Sequence, residues 1–164
     1  MAKLEQSLQN LWSELIDGPS REDAFVLNPG DAGLLRSLDA LTAEQASAVP
    51  PGGGSSIAAH VDHLRFGLEL LNRWSQGEQP FADANYSASW ERVVVSPDEW
   101  THRREALRSE AESWREVLKN PREVNEFEQT AIISSIVHLA YHFGAIRQIN
   151  RMARGPSSVQ ATQH

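Results

Sequence analysis

Two histidines stand four residues apart in IVHLAYHFGAIRQI, residues 136–149, a stretch otherwise dominated by apolar side chains. On a helix that spacing stacks His138 and His142 one above the other, with Cβ atoms about 5–6 Å apart. Two ring nitrogens held this way can grip one metal ion if another part of the chain supplies a third ligand. Two further histidines, His60 and His63, lie together in an earlier helical stretch, whereas His102 and His164 stand alone.

Burial decides how such a group is read. A lone histidine on an apolar face is ordinarily a core residue whose nitrogens are satisfied by a backbone carbonyl or a hydroxyl. Several imidazoles sharing one interior are different, because each buried nitrogen left without a partner costs about 1–3 kcal/mol. A shared cation removes that cost. On a wheel of about 100° per residue, His60 falls within the Ile57/Leu64/Leu71 stripe. His63 falls at its edge, beside Gly67, Leu70 and Trp74, so spacing leaves both open as the third ligand.

Helices must position these residues. Leu4, Leu8, Leu11, Leu15 and Ile16 recur at helical spacing, and Gly18-Pro19 ends that first helix. An extended connector over 20–30 leads to a second helix carrying Leu34, Leu35, Leu38 and Leu41. Thr42 with Gln45 forms a capping box for a short helical turn reaching Val49. PPGGGSS (50–56) then breaks the chain, and Ser55 or Ser56 caps the histidine-bearing helix, which runs to Gln76.

Residues 77–95 form a long connection holding Tyr86 and Trp90, of a length that often carries function. Ser96, Pro97 and Glu99 open the next helix with a cap, a proline at its first position and a carboxylate at its third. Trp100, Leu107 and Trp114 mark its buried side, and Asn120-Pro121 ends it. The last helix is expected from about Glu126 to Ala153. Its apolar residues cover so much of its circumference that it should be central to the bundle or shared with a second subunit. Residues 155–164 read as a polar, disordered tail. The expected architecture is all-α, a four-helix bundle with an additional N-terminal helix, in one domain over 1–154 with a core of about 30–153.

The whole composition narrows the chemistry. A formal charge of −7 without any basic run argues against a nucleic-acid partner. The absence of cysteine excludes thiolate nucleophiles, disulfides and cysteine-held metals, so a metal must rest on His, Asp or Glu. MAKLEQSLQN lacks the apolar core of a signal peptide, and no apolar run reaches membrane-spanning length. The expected location is the cytoplasm, away from membranes.

The block AYHFGAIRQ, with an earlier histidine in SIAAHVDHLRFGLELLNRW, resembles the DinB/YfiT-like superfamily of metalloenzymes, over about residues 30–153. The resemblance implies a four-helix bundle that holds a divalent metal, commonly zinc or nickel, through three histidines. It places the ligands on His63, His138 and His142 and makes His60 a neighbour, either a support behind a ligand or a core residue. Other members are S-transferases or isomerases that use mycothiol, bacillithiol or glutathione. Many members carry a polar Arg and a Gln where this chain has Phe143 and Ala145, so a polar group is missing beside the site.

Three neutral imidazoles would leave a metal doubly charged with a coordination position open. Such an ion brings the pKa of bound water to about 7 or deprotonates a bound thiol. The expected function is therefore a thiol-dependent S-transferase or isomerase, or a metal-hydroxide hydrolase, acting on a small molecule. Any low-molecular-weight thiol must arrive as a cosubstrate. The competing reading is a non-catalytic bundle whose histidines bind metal for stability or bind nothing. Tyr141, close to His138 on the wheel, is the candidate catalytic side chain, while Trp74, Tyr86 and Trp90 are candidates for a pocket. Arg147 faces away from the histidines and reads as structural or as part of an interface. The apolar surplus on the first and last helices predicts a homodimer.

Overall fold

A computed structural model describes residues 2–20, 23–120 and 123–150. The chain forms α1 (Ala2–Asp17), α2 (Leu34–Asp39), α3 (Ala43–Ser47), α4 (Ile57–Ser75), a 3₁₀ turn (Ser87–Trp90), α5 (Pro97–Lys119) and α6 (Glu126–Ile149). No strand occurs among the described residues. The stretches expected as the end of the last helix (151–153) and as the tail (155–164) lie outside the described residues.

Four long helices, α1, α4, α5 and α6, make the bundle. α5 packs against α1 and α4, and α6 packs against the same two, so α5 and α6 lie diagonally across the core. The Trp114 side chain spans that diagonal, and its Nε1–H donates to Ser135 Oγ at 3.0 Å. Trp12, Leu15, Ile16, Leu64, Leu107, Trp114, Leu139 and Phe143 are all nearly inaccessible in this interior.

The all-α bundle is as expected, but two helices take different parts. The segment expected as a full second helix is only six residues long, and Leu41 lies beyond its end. α1, expected as an addition, is itself one of the four long helices. Its Leu8, Trp12, Leu15 and Ile16 are buried, so most of its apolar stripe is taken up within the chain. The path from α1 to α2 is set by a close crossing of Gly18 and Gly33, where a Cβ on Gly33 would strike the Gly18 backbone. Gly18 adopts φ 109°, a conformation that glycine reaches without the steric cost of a side chain.

The connector after α1 is held from both sides. The buried Glu14 carboxylate accepts the backbone N–H groups of Phe25, Val26 and Leu27 at 2.7–3.1 Å. Asp31, 2% exposed, pairs with Arg147 of α6 at 2.6 Å. Arg147 is thus a structural residue that fixes α6 against the connector.

Local signals start the site-bearing helices. Ser56 caps α4, its Oγ accepting from Ala59 N–H and donating to the Val93 carbonyl at 2.6 Å. That second bond ties the end of the 77–95 connection to the start of α4. Asn125 caps α6 in a reciprocal box with Glu128. α4 and α6 then run side by side and bring their histidines face to face.

Candidate metal centre

His63 on α4 and His138 and His142 on α6 each offer a ring nitrogen, and these nitrogens lie within 4.8 Å of one another. His138 Nε2 is the hub, 3.1 Å from His63 Nε2 and 2.9 Å from His142 Nε2. Nitrogens bound to one zinc ion at about 2.0–2.1 Å would stand roughly 2.9–3.4 Å apart, so these spacings suit a shared ion.

Proton bookkeeping leads to the same fit. A neutral imidazole has one N–H and one lone pair. His138 Nε2 can therefore make a proper hydrogen bond to only one of its two neighbours. A cation among the three nitrogens resolves the conflict by accepting all three lone pairs. The outward nitrogens then find partners. His63 Nδ1–H can donate to Ser89 Oγ at 3.0 Å, and Ser89 Oγ–H donates to the Tyr86 carbonyl at 2.7 Å. His142 Nδ1–H can donate to His60 Nδ1 at 2.9 Å. Such outer contacts fix the tautomer and orientation of a ligating ring.

His142 is buried, His63 half-buried and His138 exposed, so the group is open on one side. Burial disfavours the charged imidazoles. It pushes His142 down to about 3, with His138, His60 and His63 adding repulsion. It pushes His63 down to about 4, helped by His138 and His60. Burial also lowers His60 and His138. All four rings are thus held neutral, the form in which a lone pair is free for a metal.

The 77–95 connection covers the group from the other side. Trp90 stacks on His63 with ring centroids 4.3 Å apart and also meets His60 and His142. Beside His138, a mainly apolar pocket of about 230 Å³ is lined by residues including Gly67, Leu71, Phe81, Tyr86 and Ser135. Tyr141 is 71% exposed, with its ring edge-on to His142 at 5.0 Å. Of the other aromatic candidates, Trp90 and Tyr86 reach the site, whereas Trp74 is a buried core residue. His102 lies on α5, outside the cluster. Ser89 went unnoticed in the sequence, because only the return of a distant connection puts this serine behind His63.

The DinB superfamily profile matches residues 31–144. The chain belongs to the DinB superfamily. No curated protein and no solved structure matches it significantly. The matched region contains α2 to α5 and α6 through Gly144, so all three clustered histidines fall within this DinB-like region. No helix among the described residues is long and apolar enough to cross a membrane.

Proposed function

We propose that this DinB-superfamily protein is a divalent-metal-dependent enzyme in which His63, His138 and His142 hold the ion through Nε2. The observation that carries the reading is the convergence of three Nε2 atoms whose hydrogen-bonding needs cannot all be met among themselves. Zinc or nickel suits a set of neutral imidazoles. The bound ion would supply Lewis acidity able to activate a water or a thiol.

The chain's own residues have distinct tasks in this reading. Ser89 holds the His63 ring through Nδ1, and His60 does the same for His142. Trp90 shields the rear of the site from water. The apolar pocket beside His138 receives the body of a small substrate, with Tyr141 at the open side as a group able to donate a proton. Thiol-dependent S-transfer or isomerisation is favoured over hydrolysis by the family resemblance. Lacking cysteine, the chain would draw its thiol from a small cosubstrate. A cytoplasmic setting suits this chemistry because thiols stay reduced there. Residues 1–154 act as one domain in this proposal, and the protein works as a homodimer.

A second reading, a non-catalytic metal-binding bundle, is supported by the pocket's lining, which includes no carboxylate and no amine among the described residues. Elemental analysis of protein purified without a His-tag tests the shared premise, with about one ion per chain expected. Assays of thiol conjugation and of hydrolysis then separate the readings. Turnover lost in His142→Ala supports the enzyme, whereas stoichiometric metal without turnover on either substrate class supports the bundle.

A further inference from the structure

A separate cleft of about 520 Å³ opens between α4, the 87–90 turn and the first turns of α5. Its floor holds Arg103, which is only 7% exposed. Arg103 Nη1 stands 2.9 Å from Asp62 Oδ1, and its Nε is buried with no acceptor. The same Asp62 oxygen also faces Arg65 Nε at 3.3 Å, so one oxygen serves two guanidinium groups. Arg65 turns its Nη1 to Glu69 at 2.7 Å. The other carboxylate lining the cleft, Glu99, accepts the Ser96 backbone N–H at 2.7 Å as part of the α5 cap. Arg92 adds a second cation at the rim, beside the His102 ring, and both are exposed.

A guanidinium carries five N–H donors, and buried polar groups ordinarily find partners. Arg103 has one shared carboxylate oxygen within bonding distance, and Glu99, held in the α5 cap, reaches it only through space. We propose that this cleft is a binding site for a small oxyanion, the carboxylate or phosphate of a small molecule, gripped by Arg103 with Arg92 and His102 at the rim. Charge-assisted bonds from a buried guanidinium to an oxyanion are the strong kind, and an anion would supply the acceptors that Asp62 cannot. The cleft borders the histidine cluster through Ser89, but its proposed anion contacts, Arg103, Arg92 and His102, are not among the clustered histidines or their supports.

The test is a nuclear magnetic resonance titration of the full chain with sodium phosphate and with sodium succinate, holding ionic strength constant with sodium chloride. The Arg103 Nε–H signal should shift and saturate with at least one anion. Saturation by phosphate alone identifies a phosphoryl ligand, and saturation by succinate alone a carboxylate. Arg103→Leu should weaken binding by about tenfold or more, the scale of one charge-assisted contact. Arg92→Ala, at an exposed position, should weaken it severalfold. Asp62→Asn should tighten it, by removing the competing carboxylate. Shifts that only drift linearly with both anions overturn the proposal, and so does binding unchanged in Arg92→Ala and Asp62→Asn. Those two variants decide the matter if Arg103→Leu does not fold.

Discussion

His60 and His63 are three residues apart on α4, yet the structure gives them different neighbours. His63 Nε2 faces the hub nitrogen of His138, while His60 Nδ1 faces the outward nitrogen of His142. The two should respond differently to truncation. His63→Ala leaves two clustered nitrogens and should abolish stoichiometric metal binding in a calorimetric titration. His60→Ala removes a support behind a ligand and should weaken affinity by about 10–100-fold without abolishing it. Loss of binding in His60→Ala with retention in His63→Ala would reverse the assignment. The HxxxH pair was legible from spacing alone. The choice between His60 and His63 was not, since both lie near one stripe of the wheel, and it needed the family resemblance. Ser89 was beyond sequence reasoning because its position depends on how the 77–95 connection folds back.

The same four rings make the metal-free protein sensitive to acid. Their folded-state pKa values are all lowered from 6.5, to about 4 at His63 and about 3 at His142. Between those values and 6.5 the unfolded chain binds protons that the folded chain refuses. Stability is therefore full above 6.5 and falls as pH drops through the window towards about 3. Thermal melts in chelator from about pH 7.5 to about pH 4.5 should show a falling Tm, with a shallower slope in His63→Ala and His142→Ala than in the parent. A Tm independent of pH across that window would show that the rings are not held neutral.

At the scale of elements, the caps were the most legible feature. Thr42 and Ser96 sit at the N-caps that the sequence indicates, with both boxes formed reciprocally, and of the two serines open for α4 it is Ser56 that caps. Caps read well because they depend on a few adjacent residues. The length of α2 read poorly because its leucines keep a helical rhythm beyond Asp39, where the helix stops. On α6 the single chain covers only part of the apolar circumference, with Phe127, Val137 and Tyr141 exposed. Of the two expectations, a central helix or one shared with a second subunit, the first therefore does not hold all round. Ser56 links element to site, since its hydroxyl serves both the α4 N-terminus and the Val93 carbonyl. Ser56→Ala should destabilise the fold by about 1–2 kcal/mol, as a lost cap plus a part-buried carbonyl without its partner. Denaturant unfolding measures this directly, and a midpoint within error of the parent would count against the linking role.

For the molecule as a whole, the composition and helical rhythm made the all-α bundle legible, because amphipathic stripes specify which faces must meet. They do not specify what the surplus faces meet. On α6, Phe127, Ile133, Val137 and Tyr141 lie within one arc of the helix and are 83%, 38%, 63% and 71% exposed. The arc borders exposed His138, so whatever covers it also narrows the mouth of the histidine cluster. A second copy presenting the same stripe about a two-fold axis would cover both arcs at once, as self-complementary interfaces do. α1 contributes less than its sequence suggests, since only Leu4 of its apolar stripe remains substantially exposed, at 42%. Light scattering at micromolar concentration should therefore give twice the 18.3 kDa chain mass. Val137→Glu places a charge in the middle of the stripe and should convert the species to monomer while leaving the helical content unchanged. A parent protein already monomeric would remove the dimer and leave the α6 stripe as a solvent-facing border of the site.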